Sequence, residues 1–245
     1  MNPYETRKLV DEYLLFHYGA DHEILPWDFG PNGALGFPVR TVTDPFDWTD
    51  VPAEARALDI GCAVGRSSFE LSRHCAEVVG IDYSEAFVSA AETMRTIGRL
   101  DYRRLEEGSQ FSTLTAVRPS GVNPERVRFA RGDAMELDPG LGTFDVVHAA
   151  NLVCRLSDPG RFLSRLPELV RPGGQLVLTT PCTWLEEYTP PERWPVGSTL
   201  DLLKGHLDGA FTLRRTLEIP FLIREHRRKF QWTVAQASQW ERSHA

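Results

Sequence analysis

Apolar and polar positions along the chain fall into short apolar runs separated by amphipathic stretches, the rhythm of an α/β protein with a parallel sheet. The clearest unit is residues 57–84, ALDIGCAVGRSSFELSRHCAEVVGIDYS. Ala57, Leu58 and Ile60 form a short apolar strand, Gly61 and Gly65 permit a tight turn, and Phe69 and Leu71 begin a helix that faces the sheet. Val78, Val79, Gly80 and Ile81 make a second strand that ends at Asp82. Residues 127–131, 144–149 and 175–180 read as the third to fifth strands, and Ser84 and Asp158 start the intervening helices. Residues 211–219 and 229–235 read as a final pair, the second because Phe230, Trp232 and Val234 alternate with Gln231 and Thr233. The expected architecture is a Rossmann-like, seven-stranded, mostly parallel sheet with helices on both faces and an antiparallel last strand.

Two stretches elaborate this core. In residues 1–54, Leu9, Val10, Tyr13, Leu14, Phe16 and His17 recur at helical spacing, so residues 6–18 should be an amphipathic helix ended by Gly19. Docking over the carboxyl edge of the sheet would bury its apolar face and make it a lid. Residues 25–40, LPWDFGPNGALGFPVR, carry so many prolines and glycines that regular structure is excluded, and Trp27, Phe29 and Phe37 make this a pocket-lining loop. Within the core unit, residues 55–245, the segment 99–124 exceeds an ordinary connection. It reads as an insertion holding a β-hairpin across residues 102–117. A second aromatic and proline-rich loop, TPCTWLEEYTPPERWP, follows the fifth strand, and a helix over residues 200–207 follows that.

Composition narrows the class. A chain of 245 residues, 42% hydrophobic and 25% charged, suits one sizeable domain. A formal net charge of −7 argues against a protein that grips nucleic acid through its phosphates. The one basic run, Arg224, Arg227, Arg228 and Lys229, reads as a solvated strand entrance. Cys62, Cys75, Cys154 and Cys182 are scattered without a C-x-x-C pair, so neither a metal site nor a disulfide framework is expected. Cys62 and Cys154 fall near the expected pocket, but each reads as a small buried residue. Met1 leads into a polar segment, and no apolar run is long enough to span a bilayer, which points to a cytoplasmic protein.

The chemistry concentrates at strand ends. A carboxylate about 20 residues after the first glycine lies at the tip of the neighbouring strand, where Asp82 can accept both ribose hydroxyls of an adenosine. The turn reads Asp59-x-Gly61-x-Ala63-x-Gly65, which departs from the G-x-G-x-x-G of dinucleotide binders. An acid before the first glycine repels a pyrophosphate and suits a cation such as S-adenosylmethionine. Together Asp59 to Gly65 and Asp82 resemble the glycine motif and second-strand acid of the Rossmann-like, class I methyltransferases. The resemblance implies that Gly61, Cys62, Ala63, Gly65, Asp82 and Tyr83 hold S-adenosylmethionine. It also implies that, in Gly132-Asp133-Ala134, Asp133 accepts the adenine amine while the next backbone NH meets the ring. Asp133 can equally be a helix cap, and the two roles can coexist. Asn151 ends the fourth strand at the topological switch point, and its amide can both donate and accept, so it is the first candidate for orienting the substrate beside the cofactor.

A narrower resemblance covers nearly the whole length. It rests on NPYET near the start, EYLLFHYG at residues 12–19, GFPVR at 36–40, ANLVCRL at 150–156, TTPCTWLEEYTP at 179–190 and RKFQW at 228–232. These stretches resemble the methyltransferases of ovothiol biosynthesis, which occur fused behind a histidine-cysteine sulfoxide synthase or separately. The resemblance implies methylation of an imidazole nitrogen of 5-thiohistidine, giving ovothiol A, in functional association with such a synthase. For that small zwitterion, aromatic walls from Tyr4, Tyr13, Trp184 and Tyr188 are expected. Arg40 is the candidate for its carboxylate, since a guanidinium can bind such a group bidentately, Glu186 or Glu187 for its ammonium, and Asn151 or Tyr18 for its ring. His17 or Tyr18 is the candidate for selecting the tautomer or accepting a proton. Direct in-line transfer, with the nitrogen about 3 Å from the methyl carbon, needs neither a covalent intermediate nor a metal. The alternatives are a methyltransferase for another small amine or thiol, and a non-catalytic adenosine-binding partner protein.

Overall fold

Ala57 faces one side of the sheet and Leu58 the other, and this alternation along the strands separates two apolar layers. In the computed structural model, residues 3–244 are described, and Met1, Asn2 and Ala245 lie outside them. The elements in chain order are α1 (Arg7–Tyr18), α2 (Asp21–Ile24), α3 (Phe37–Thr43), β1 (Arg56–Ile60), α4 (Arg66–Leu71), β2 (Glu77–Asp82), α5 (Glu85–Thr96), β3 (Arg99–Glu107) and β4 (Gln110–Val117). There follow β5 (Val127–Arg131), β6 (Phe144–Ala150), α6 (Pro159–Leu169), β7 (Val170–Thr180), α7 (Thr199–Leu207), β8 (Phe211–His226) and β9 (Lys229–Arg242). Seven strands form one sheet in the order β5-β2-β1-β6-β7-β9-β8. The first five strands in that order are parallel, while β9 runs antiparallel to both β7 and β8. Strand β1 lies between β2 and β6, so the chain reverses its direction of travel across the sheet there and leaves a crevice at the carboxyl ends.

One layer packs Ala57, Val146 and Val177 of the sheet against Leu14 of α1, Val42 of α3, Phe69 of α4 and Phe87 and Met94 of α5. The other packs Leu58, Ile60, Val147 and Leu178 against Phe162, Leu163 and Leu166 of α6 and Leu203 and Leu207 of α7. Caps set the helix starts. Thr6 accepts from the Leu9 amide, Ser84 from Phe87 and Asp158 from Arg161, each satisfying a surplus N–H of a first turn.

Three segments differ from the pattern of prolines and glycines. The stretch expected to be irregular up to Arg40 instead enters α3 at Phe37. Pro38 sits in that helix's first turn, where a missing N–H costs nothing, and Gly36 supplies a left-handed entry at φ 69°. Strand β8 continues through Pro220 to His226, and β9 runs on to Arg242, well beyond the expected ends. Pro220 is tolerated because β8 is an edge strand, paired only with β9. Strand β7 starts at Val170 rather than Gln175, the Pro172–Gly173–Gly174 run lying in a register shift instead of a separate loop.

The segment after α5 forms the β3–β4 hairpin as a separate two-stranded sheet. Its base is closed by the Arg118 amide donating to Gly98 O at 2.8 Å. Its outer face props the N-terminal segment. Arg7 donates to Asp101 O, and Arg104 and Arg224 both donate to Glu23 O, at 3.0, 2.9 and 2.7 Å. Arg224, from the far end of β8, also binds Glu106 Oε2 at 2.6 Å. Helix α1 is thereby clamped over the crevice between the hairpin and the β8 extension.

Candidate active site

Beneath α1, at the carboxyl ends of β1, β2, β5 and β6, lies a cavity of about 520 Å³. Its first half is built by the turn after β1. Gly61 and Ala63 adopt left-handed φ of 77° and 48°, and the Gly61 and Cys62 amides donate to Ile81 O at 2.7 and 3.1 Å. The Ala63 amide donates to Asp82 Oδ2 at 2.8 Å, and Ser84 N donates to Oδ1 at 2.9 Å. Turn and carboxylate are thus locked to each other. Burial pushes Asp82 up to about 6 against the pull of those amides. Burial also pushes the Cys62 thiol up, so it stays protonated on the wall.

Asp59 is 1% exposed beneath the turn, its Oδ1 2.8 Å from His148 Nδ1 and its Oδ2 accepting from Ser68 Oγ at 2.6 Å. It also lines the cavity, so it sets a negative field at that end and keeps acceptor capacity on each oxygen for a cationic ligand. Gly65 stands apart from the cavity lining. A Cβ there would come within 2.6 Å of Phe129 Cζ, so this glycine serves the packing of the turn against β5. Gly132, Asp133, Ala134 and Met135 line the far wall, with Tyr83 at its edge. Asp133 Oδ1 accepts from Met135 N at 2.9 Å, closing a turn rather than capping a helix, since none starts there, and this leaves Oδ2 for a ligand. A tight backbone turn, a carboxylate at the end of β2 and an apolar slot at Ala134 and Met135 fit the turn, ribose and adenine contacts that S-adenosylmethionine requires.

The second half is aromatic. Tyr4, Tyr13, Phe16 and His17 line it from the lid, Phe37 and Pro38 from α3, and Phe221 and Ile223 from β8. Asn151 faces it in a left-handed conformation at φ 53°, held by its amide donating to Thr179 O at 2.9 Å. Thr179 Oγ1 donates to Asn151 Oδ1 at 3.1 Å, so the Asn151 NH₂ is the group left for a ligand. His17 stacks on Tyr13 with 5.7 Å between ring centres. Burial, with Arg66 nearby, pushes His17 down to about 3, and its Nδ1 is buried with no partner among the described residues. Burial pushes Tyr13 up to about 12. Glu187 and Tyr188 close the mouth.

Four expected substrate contacts are not brought to this cavity. Tyr18 donates its hydroxyl to Val64 O at 2.7 Å and braces the glycine turn from behind. Arg40, carried into α3, donates to Gly33 O at 2.5 Å and pairs with Asp44 at 3.3 Å. Trp184 donates to Thr199 Oγ1 at 3.0 Å and packs with the α6–α7 layer, and Glu186 is exposed outside the lining. Of the loop aromatics, Trp27 and Phe29 stack on each other away from the pocket. Arg155, by contrast, was assigned no role from the sequence and lies in the wall. Its signal was its place four residues after Asn151, where the turn Val153–Arg155 folds the chain back over the crevice.

Among the described residues no group of three or more His, Cys, Asp or Glu is placed to hold a metal ion, and no helix is long and apolar enough to cross a membrane. The family model described as "Methyltransferase domain" matches residues 40–232. The tRNA U34 carboxymethyltransferase of Mannheimia succiniciproducens is 27% identical over 86% of this chain and 64% of its own. The ubiquinone biosynthesis O-methyltransferase of Azorhizobium caulinodans is 32% identical over 51% of this chain and 40% of its own. The chain thus spans less than two thirds of the length of either relative. Among solved structures, the N-methyltransferase NodS from Bradyrhizobium japonicum with S-adenosyl-L-homocysteine shares the fold at a TM-score of 0.53. It is 16% identical, and the match covers 96% of this chain and 99% of that one.

Proposed function

The chain belongs to the methyltransferase-domain family of S-adenosylmethionine-dependent, class I enzymes, and from that premise we propose that it methylates an imidazole ring nitrogen of 5-thiohistidine. The observation that carries the reading is the second half of the cavity, an aromatic chamber under a helical lid with a few polar groups directed inward. At about 520 Å³ in total, the cavity is in the range of small-molecule sites, which are mostly apolar with a few polar anchors. A flat, soft heteroaromatic ring on a short zwitterionic side chain matches that chemistry, and the stretches that resemble the ovothiol methyltransferases support the same reading.

S-adenosylmethionine supplies the methyl group. Asp82 is placed for the ribose hydroxyls, Asp133, Ala134 and Met135 for the adenine, and the Gly61–Ala63 turn for the amino-acid end. Asn151 orients the acceptor ring through its NH₂ group. His17 acts as a hydrogen-bond acceptor: with its pKa pushed down to about 3 it is neutral, and its unpartnered Nδ1 can take the ring N–H and so leave the other nitrogen's lone pair toward the methyl. Glu187, at the mouth, is placed for the ammonium. No enzyme nucleophile is needed, because a neutral imidazole nitrogen already carries a lone pair: the methyl would leave sulfur as the N–C bond forms, S-adenosylhomocysteine would be the leaving group, and the methylated ring would lose its N–H proton to solvent.

The test is mass spectrometry of the protein incubated with S-adenosylmethionine and 5-thiohistidine, with histidine in parallel and NMR to place any new methyl. A methyl on the ring nitrogen beside the alanyl side chain, absent with histidine, is expected. A methyl on sulfur overturns the orientation given to the ring. No methyl on thiohistidine, with cofactor bound, overturns the substrate.

A further inference from the structure

Arg155 is a half-buried guanidinium in the cavity wall, and among the described residues no carboxylate is ion-paired with it. Its Nη1 donates to Thr183 O at 2.8 Å and Cys154 O at 3.1 Å, which fixes the side chain from behind. The guanidinium sits 5.0 Å from the Tyr188 ring centre. The Tyr4 phenol is hydrogen-bonded with both Tyr188 and Arg155, and the Tyr13 phenol with Tyr4. Burial raises all three phenols, so each remains protonated at any working pH. The acids that face the cluster are Glu187 at the mouth and Asp82 across the cavity, and Asp82 is occupied by two amides. One fixed positive charge beside a chain of hydrogen-bonded phenols, with no carboxylate ion-paired to it among the described residues, is a site whose complement is a carboxylate.

We infer that Arg155, with Tyr4, Tyr13 and Tyr188, is the carboxylate subsite of the acceptor, so that the enzyme selects an α-amino acid over the corresponding amine. This inference rests on the acceptor reading above. The cavity must hold two carboxylates, one from the acceptor and one from the methionine part of the cofactor. The turn after β1 and the Arg155 cluster are separate parts of its wall, and Arg155 stands with Tyr188 and the lid tyrosines rather than with the turn. The assignment of Arg155 is therefore to the acceptor. A charge-assisted pair of this kind accounts for about 10- to 100-fold in affinity when its partner is removed.

The experiment measures kcat and KM for 5-thiohistidine and for its decarboxylated amine, in wild type, Arg155→Met, Arg155→Lys and Tyr4→Phe, together with the Kd for S-adenosylmethionine. Wild type should favour the amino acid by about 10- to 100-fold in kcat/KM, chiefly through KM. Arg155→Met should lose that preference while leaving the amine within about twofold and the cofactor Kd unchanged, Arg155→Lys should restore part of it, and Tyr4→Phe should show a smaller loss confined to the amino acid. Equal losses on both acceptors overturn the subsite. A weakened cofactor Kd transfers it to the methionine carboxylate and likewise overturns the assignment. Binding of histidine against histamine to protein loaded with S-adenosylhomocysteine separates this inference from the thiohistidine reading. If wild type methylates neither thiol but still prefers histidine, and Arg155→Met abolishes that preference, the substrate reading fails and the carboxylate subsite stands.

Discussion

Asp82 carries a carboxyl group that burial pushes up to about 6 from 3.8, although the amides of Ala63 and Ser84 bond its ionised form. Its folded pKa lies above its unfolded one, so the ligand-free protein holds an extra proton between these values and loses stability as pH rises through that window. A bound ribose diol offers donors to the ionised form and offsets the cost. Cofactor affinity should therefore be constant above pH 7 and fall below about pH 6, by up to about tenfold per unit, and Asp82→Asn should bind weakly with no such dependence. Calorimetric titration between pH 5 and 8 checks this; a wild-type affinity that does not change across the range rules it out. His17 gives a second residue-level test, since its buried Nδ1 has no partner among the described residues. His17→Phe keeps a flat ring and removes that unsatisfied acceptor, so it should stabilise by about 1 kcal/mol, raising Tm by about 2–4 °C, while kcat/KM falls. A lower Tm with unchanged kcat/KM would refute the role. Asp82, Asp133 and Asn151 were legible in sequence because each ends a strand or follows one within two residues, where local register alone decides that it reaches the crevice. Arg155 and Phe221 were not, because their approach depends on how a turn and a distant hairpin dock, and Tyr18 was misread because one step along a helix turns a side chain from the pocket to the frame.

Helix α1 shows how an element can be legible while its support is not. Its apolar spacing and the stop at Gly19 predict the helix, and the structure has it at Arg7–Tyr18 with Thr6 as its cap. What clamps it over the crevice comes from far away in sequence: Glu23 is held by Arg104 and Arg224, 81 and 201 residues distant. No local pattern announces such a contact. Arg224 is 3% exposed, and its bond to Glu106 ties β8 to the hairpin, an arrangement that fails badly if one partner is lost. The hairpin's ends are already joined by the Arg118–Gly98 bond, so β3 and β4 can be replaced by a short glycine–serine turn without stretching the sheet. Made together with Arg224→Leu, so that no buried guanidinium loses its partner, that deletion should leave the seven-stranded core folded and the cofactor bound. It should increase hydrogen exchange across residues 7–18 and raise KM for the acceptor by at least about tenfold, because a lid that must be ordered on binding costs affinity. Exchange mass spectrometry reads the first effect and kinetics the second; unchanged protection of α1 would show that the hairpin is not its support.

At the scale of the whole molecule, the seven-stranded, mostly parallel architecture was legible from one unit of strand, glycine turn, helix and second strand with a terminal acid, and from the apolar runs after it. The lengths of β8 and β9 did not follow, because Pro220 reads as a breaker unless the strand is known to be at an edge. Charge separates the small-molecule reading from a nucleic-acid substrate, such as the name of the tRNA-modifying relative suggests. The net charge is −7, and of the one basic run Arg224 is buried while Arg227, Arg228 and Lys229 stand exposed. Arg224 is buried on Glu106 and Lys229 pairs with Glu225, while Arg227 and Arg228 lie against Trp27. Binding to tRNA needs several cations released to phosphates and shows a steep fall in affinity with salt. This chain should therefore leave bulk tRNA unshifted in a gel at about 150 mM salt, and at lower salt any binding should be no tighter than the non-specific range of about 10⁻⁴–10⁻⁶ M. Turnover of a small acceptor should depend only weakly on salt, because the charges that hold it lie inside a lidded cavity and are poorly screened. A sub-micromolar tRNA complex with a steep salt slope would place the substrate outside the cavity's closed chamber and require the lid to open for a base rather than close on an amino acid.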